Sequence, residues 1–221
     1  MTKSKWGSLA AAAGFLCMYV FVLLALIHLI GTDAGLYKKL QLSADILPEA
    51  GISEETLTAL DDALADYLRG DAAALDDTPF NETERTHMAD CYELFVLLRR
   101  VISAPGVAML VLLTVAYFLR CKRPDRAARI GAYVLGGLLL MLAAWGIFDF
   151  SSLFTAFHRL LFSNDLWLLD PATDLLIRIC PESMFVWMAV LIGGGTLVWI
   201  AAVNVLLHRV FMKNGFSAAV S

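Results

Sequence analysis

Charge is scarce in this chain. Lys, Arg, Asp and Glu make up 17% of its 221 residues, against about 25% in an ordinary soluble domain. Hydrophobic residues reach 59% and the mean hydropathy is +0.70. A water-surrounded globule is excluded by those values, and a membrane protein is what they imply. Internal repeats, low-complexity tracts and long Pro/Gly/Ser linkers are missing as well, so a solenoid or a string of domains is not expected, and residues 1–221 read as one membrane domain. The four cysteines fall in no zinc-binding spacing. The polar loops carry no basic patch of the kind a nucleic-acid binder shows, so no nucleic-acid partner is expected. Histidines number only four, which leaves few candidates for acid–base chemistry near neutral pH.

A membrane-crossing helix needs about 20 mostly apolar residues. Four stretches qualify, at about 6–30, 101–119, 130–150 and 184–207. The first follows Lys3 and Lys5 like a secretion signal, but its apolar run is far longer than the roughly 7–15 residues of such a signal, and GTDAGLY makes a poor cleavage site, so a retained anchor is expected. Lys and Arg set the orientation. Lys3 and Lys5 flank span one, Arg120, Lys122, Arg123, Arg126 and Arg129 fill the link between spans two and three, and Arg209 and Lys213 follow span four. Those segments are expected in the cytoplasm, with both termini, and Asp125 is the only carboxylate among them. Two longer loops, about 31–95 and 151–183, fall outside. The expected fold is an all-α polytopic protein whose two extracytoplasmic helical loops form a cap on four spans.

Within the spans, Ala10 and Gly14 stand at the spacing that lets helices approach closely, and Gly136, Gly137, Gly193, Gly194 and Gly195 suggest close packing or a groove for an acyl chain. Pro105 is expected to kink span two. In the first loop, ISEETLTALDDALADYLRG from Ile52 places Leu57, Leu60, Leu64 and Leu68 on one helical face and Asp61, Asp62 and Asp66 on the other, with Gly70 as the stop. Further on, Thr83 or Asn81 is expected to cap a helix from about Glu84, which sets His87, Asp90 and Cys91 on one face. Arg99 and Arg100 then reach for the headgroups.

The second loop carries Phe154, Phe157, Leu161 and Phe162 at helical spacing, with His158 and Arg159 at the edge of that face. Ser163, Asn164 and Asp165 break it, and Trp167 reads as an interfacial anchor. Asp170 and Pro171 start a turn, and Leu175, Leu176, Ile177 and Ile179 form a second short apolar face that Pro181 ends. Charges at Arg159, Asp165, Asp170, Asp174 and Arg178 forbid a crossing helix here, so two short helices in the outer leaflet are expected. His28 and His208, near span ends, are given no role.

Phe157, His158, Phe162, Asn164, Asp165, Trp167, Asp170, Pro171, Asp174, Ile177, Pro181, Glu182 and Phe185, with Phe80, Asn81, Glu84, His87, Met88 and Asp90 before them, resemble the lipoprotein intramolecular transacylase family of bacterial membrane proteins. Tyr92 departs from the basic residue that members often carry there. The resemblance implies an acyltransferase that needs no cofactor and no metal. Its substrate would be a diacylglyceryl-modified lipoprotein within membrane lipid, whose sn-2 acyl chain moves to the α-amino group of its own N-terminal cysteine to give the lyso form. It also implies the bacterial cell membrane as location, with the site on the extracytoplasmic side; a monomer is expected. The reacting cysteine belongs to the substrate, so none of the chain's own is required. Chemistry agrees: an α-amino group titrates near 7.7–8.0, and a histidine near 6.5 can free its lone pair. His87 is expected as general base and His158 as its partner, donating to the leaving glycerol oxygen or to the oxyanion. Asp90 or Glu84 is expected to orient a ring, while Arg159, Trp167, Asp170 and Asp174 hold the loop or the substrate.

Two other readings remain open at this point. His87, Asp90, His158 and Asp170 make a possible metal set, which a chelator would expose. A non-enzymatic membrane assembly or binding protein predicts that replacing either histidine leaves lipoprotein N-termini unchanged. Cys91 and Cys180 both lie on the outer side, where a disulfide between them would clamp the two loops.

Overall fold

A computed structural model describes residues 3–72 and 74–217, with side chains as far as 211, so the Lys213 side chain lies outside the described residues. Every regular element among them is a helix: α1 Lys3–Ile30, α2 Ala34–Ser43, α3 Leu47–Ala50, α4 Glu54–Arg69, α5 Glu82–Val101, α6 Ser103–Phe118, α7 Pro124–Phe148, α8 Phe150–Leu161, α9 Leu175–Ile179 and α10 Glu182–Ser217. Four helices are long and apolar enough to cross a membrane: α1, the α5–α6 run, α7 and α10. The expected all-helical membrane fold is therefore observed. The α5–α6 run breaks at Ile102, because Pro105 has no N–H to give the carbonyl of Val101 four residues back. Its apolar part is the predicted span from Val101 onward; the α5 part is charged and lies before it.

The chain gathers into two compact units. The first comprises Met1–Leu26, Val101–Ala143 and Gly193–Ser221. Its core is Ala11, Phe15, Tyr19, Ala116, Ala127, Ala128, Leu135 and Ile200, a set rich in alanine because membrane helices associate by close backbone approach. A side-chain carbon added at Gly14 would sit 2.9 Å from Leu113, and one at Gly131 3.0 Å from the backbone N of Leu16. At Gly131 the close α1–α7 approach is therefore to backbone, which cannot turn aside, whereas at Gly14 a larger residue would have to displace the Leu113 side chain of α6; the predicted close approach at Gly14 is found. Gly195 likewise abuts Leu26, but Gly193 and Gly194 meet nothing within 4 Å. Asn204 Nδ2 donates to the buried Tyr19 hydroxyl at 3.0 Å, pinning α10 to α1.

The second unit comprises Ile27–Arg100 and Ala144–Ile192. Helix α4 is capped by Ser53, whose side chain accepts from Thr56 N, and ends at Gly70 with φ +87°, a left-handed conformation that only glycine adopts at no cost. Leu57, Leu60, Leu64 and Leu68 are buried as their spacing required, each worth about 1.5–3 kcal/mol. Asp61 departs from expectation: it lies on the buried face, 1% exposed, four residues after Leu57 and hence beneath the same stripe. Gln41 of α2 accounts for it by donating Nε2–H to Asp61 Oδ1 at 2.9 Å. Burial pushes the Asp61 carboxyl up to about 6, against the opposing bond from Gln41. Helices α2 and α3 have no counterpart in the sequence expectations. Both are short, and tertiary packing rather than propensity sustains helices of that length.

The buried core of this unit joins both loops: Leu57, Leu60, Leu64, Phe80 and Met88 pack with Leu175, Leu176 and Ile179. Arg99 does not reach outward. Its Nη1 donates to Leu68 O at 2.5 Å and its guanidinium lies 5.6 Å over the Tyr92 ring. All four cysteines are free, so no disulfide joins Cys91 to Cys180.

Candidate active site

Helix α5 begins at Glu82, two residues before the expected start, with Asn81 rather than Thr83 as cap. Glu84 N donates to Asn81 Oδ1 at 3.0 Å while Glu84 Oε2 accepts from Asn81 N at 2.7 Å, the reciprocal pattern of a capping box. The other Glu84 oxygen accepts from Leu176 N at 2.5 Å, so this buried carboxylate ties the start of α5 to the start of α9. Both oxygens are thereby used on backbone. Of the two carboxylates expected to orient a ring, Glu84 instead sets where the two loops meet.

Helix α8 starts on Asp149, whose side chain accepts from Ser152 N. Its expected apolar face is only partly inside: Phe157 is 53% and Leu161 39% exposed. His158 sits in the buried part rather than at the edge, four residues after Phe154. Its Nδ1 lies 2.8 Å from Phe154 O, and because a carbonyl only accepts, Nδ1 carries the proton and Nε2 keeps its lone pair. Phe154, Phe162 and Trp167 surround the ring, with centroids at 4.0, 5.6 and 4.9 Å.

The two histidines come together. The His87 and His158 centroids are 6.1 Å apart, although 71 residues separate them along the chain, and both are buried, at 8% and 7% exposed. Phe162 lies edge-on to His87 at 5.2 Å. Burial pushes His87 down to about 4, aided by His158 and opposed by Asp90. His158 is also lowered by burial, against its bond to Phe154. Both rings are therefore neutral at physiological pH and able to accept a proton.

The remaining predicted residues arrange themselves around this pair. Asp90 Oδ2 accepts from Asn164 Nδ2 at 2.8 Å. Asn164 also takes Leu166 N on its Oδ1 and the Trp167 indole N–H on its backbone carbonyl at 3.0 Å, so it links the His87 helix to the ring that packs on His158. Asp174 accepts from Asn81 Nδ2 at 2.8 Å, from Asp170 N at 2.7 Å and from Thr173 Oγ1 at 3.0 Å. Those bonds hold its carboxyl below the usual range, the one from Asp170 N most. Asp170 Oδ1 takes Ala172 N within its own turn. Arg159 is exposed and lines an open groove with Asp149, Ser151, Ser152 and Thr155, on a different face of α8 from His158. Among the described residues, no three His, Cys, Asp or Glu side chains converge as a metal-ligand set.

Sequence reasoning missed the pairings made by Asn81 and Asn164. Both amides were visible as cap or breaker, but their partners lie 93 and 74 residues away, beyond any local pattern. The helix face expected to carry His87 and Cys91 together is found, with Cys91 Sγ 3.7 Å from His87 Nε2.

Comparison with known proteins shows what the chain is similar to. Solved in meso structures of the membrane-integral lipoprotein intramolecular transacylase Lit from Bacillus cereus share the fold. One superposes with a TM-score of 0.73 at 20% identity over 99% of this chain and 97% of the other. A second, a variant with one histidine replaced by arginine, gives 0.73 at 21% identity over 97% and 94%. A third, with a histidine replaced by alanine, gives 0.66 at 20% over 99% and 94%. No curated protein matches the sequence. The profile described as lipoprotein intramolecular transacylase Lit matches residues 12–185, which take in most of the first span, the second and third spans, the start of the fourth, both loops and both histidines. The chain therefore belongs to the lipoprotein intramolecular transacylase family, a family of acyltransferases.

Proposed function

We propose that this enzyme moves the sn-2 acyl chain of a diacylglyceryl-cysteine lipoprotein onto the α-amino group of that cysteine, using His87 and His158 and no cofactor. The observation that carries the reading is the pair of buried, neutral rings 6.1 Å apart on segments brought together from separate loops. The amine nitrogen attacks the ester carbonyl, a C–N bond forms, and a proton leaves nitrogen for a histidine. The C–O bond to glycerol then breaks and that proton passes to the glycerol oxygen. One ester and one amine become one amide and one alcohol, with no net proton change and no need for ATP. Because amine and ester belong to one molecule, holding the headgroup in near-attack geometry replaces a bimolecular encounter, and no acyl-enzyme is needed.

His158 is suited to shuttle the proton, since its bond to Phe154 O leaves Nε2 bare. This assigns the base to His158 rather than His87, the reverse of the sequence expectation. Asp90, Asn164, Trp167, Glu84 and Asp174 hold the two ring-bearing segments in register. The Lys and Arg distribution supports cytoplasmic termini and a site facing the extracytoplasmic side.

Expression in a host lacking N-acylating enzymes, with mass spectrometry of a model lipoprotein, tests the reading. The second fatty acid should be found on the cysteine nitrogen. His158→Ala and His87→Ala should each lower that yield at least about 100-fold while the protein remains in the membrane. An unchanged lipoprotein N-terminus with the wild-type chain would refute the assignment.

A further inference from the structure

With His158 as the proton shuttle, His87 is left with a second role that depends on which of its nitrogens carries the proton. Nδ1 is fully buried and has no partner among the described residues, while Nε2 has one polar neighbour, Cys91 Sγ at 3.7 Å. A buried imidazole nitrogen without a partner is costly in a resting protein, so Nδ1 calls for a polar atom that the described residues do not supply. Asp90, the carboxylate one residue before Cys91, is bound to Asn164 and contacts neither nitrogen within hydrogen-bond reach.

We infer that the Cys91 thiol is a positioning residue, donating S–H to His87 Nε2 so that the ring presents Nδ1–H to the oxyanion of the tetrahedral intermediate; this rests on the transacylase reading above. Direction follows from chemistry. An imidazole lone pair is a strong acceptor, whereas a thiol sulfur is a weak one, so the shared proton belongs on the S–H···N line. The thiol also keeps its proton: burial and the nearby Asp90 push it up to about 12. With Nε2 occupied as acceptor, the neutral ring carries its own hydrogen on Nδ1.

The two histidines are then complementary. His158, held by Phe154 O, offers a bare Nε2; His87, held by Cys91, offers an N–H. A neutral imidazole N–H stabilises an oxyanion without losing its proton, which suits a ring that burial and His158 keep uncharged. The groups facing His87 are His158 and Phe162 from the second loop and Asp90 and Cys91 from its own helix. Asp90 alone favours the charged ring, and His158 opposes it.

The test compares full-length wild-type, Cys91→Ala and Cys91→Ser protein in nanodiscs by two readouts. Nitrogen-15 NMR of the histidines reports the His87 tautomer, with His87→Gln identifying its signals among four histidines. Turnover of a diacylglyceryl lipopeptide with a free α-amine reports the reaction. The wild type should show the Nδ1–H tautomer. Cys91→Ala should mix the tautomers and lower kcat about 10- to 100-fold with KM unchanged, and Cys91→Ser, which keeps a donor, should recover most of both. Should Cys91→Ala fold poorly, Cys91→Ser against wild type still decides, since a hydroxyl preserves the tautomer only if donation is what matters. An Nε2–H tautomer in the wild type, or a Cys91→Ala enzyme matching the wild type in turnover, overturns the inference. A wild type that makes no lyso product refutes the transacylase reading instead, and the tautomer measurement still judges the Cys91 bond.

Discussion

Replacing Glu84 by alanine should act on the fold before it acts on the chemistry. This carboxylate is 1% exposed and receives two backbone N–H groups, Asn81 at 2.7 Å and Leu176 at 2.5 Å. Alanine removes both acceptors and leaves two buried donors unmatched. A hydrogen bond to a charged group contributes about 1.5–3 kcal/mol, so the pair amounts to about 3–6 kcal/mol. At about 2–4 °C per kcal/mol for a chain of this size, the thermal midpoint in detergent should fall on the order of ten degrees. Turnover of the folded fraction should fall as well, because α9 loses its hold on the His87 helix. Glu82→Ala supplies the control: Glu82 is an exposed carboxylate in the same helix turn, and its loss should cost under about 1 kcal/mol. The reasoning fails if Glu84→Ala unfolds within two degrees of wild type, or if its only defect is in the pH dependence of turnover, as an orienter of a histidine would show.

Four further outcomes are expected. Between pH 6.5 and 7.5, kcat/KM should rise about tenfold per unit and level off near pH 8, because the substrate amine titrates there while burial lowers both histidines below 6.5, His87 to about 4; a slope of two would mean a histidine titrates in that window. His87 should also make stability fall as pH drops from about 6.5 to 4, since the unfolded chain binds a proton the folded ring refuses; the full effect is about 3 kcal/mol, and His87→Gln should flatten it in thermal scans. Asp61→Asn should stabilise at pH 7.5 by up to about 3 kcal/mol and do nothing at pH 4, because a carboxyl raised to about 6 loses its contribution as pH climbs from 3.8 to 6; equal midpoints for the two proteins at pH 7.5 would refute this. Chelators should leave turnover unchanged, and a loss restored by added zinc would revive a metal reading.

Apolar run length and residue spacing made the spans, the α4 stripe and the Asn81 cap legible, because each depends on neighbours within one helix turn or on transfer into lipid. Leu57, Leu60, Leu64 and Leu68 went inside for that reason, and Pro105 broke the α5–α6 run for an equally local one. Asp61 resisted the same logic: its neighbours mark it as exposed, and only Gln41, 20 residues earlier, makes its burial tolerable. His158 was read at the edge of its face because periodicity cannot foresee that Phe157 and Leu161 would remain outside.

Composition and motif order thus determined by themselves that the chain is a helical membrane protein with two polar, histidine-bearing loops, since hydrophobicity and capping act locally. Tertiary structure alone decided that those rings meet and that Glu84 and Asn164 clamp the loops that carry them. Such pairings depend on how loops far apart in sequence pack together, and no periodicity along the chain encodes the partner of a buried amide, carboxylate or imidazole.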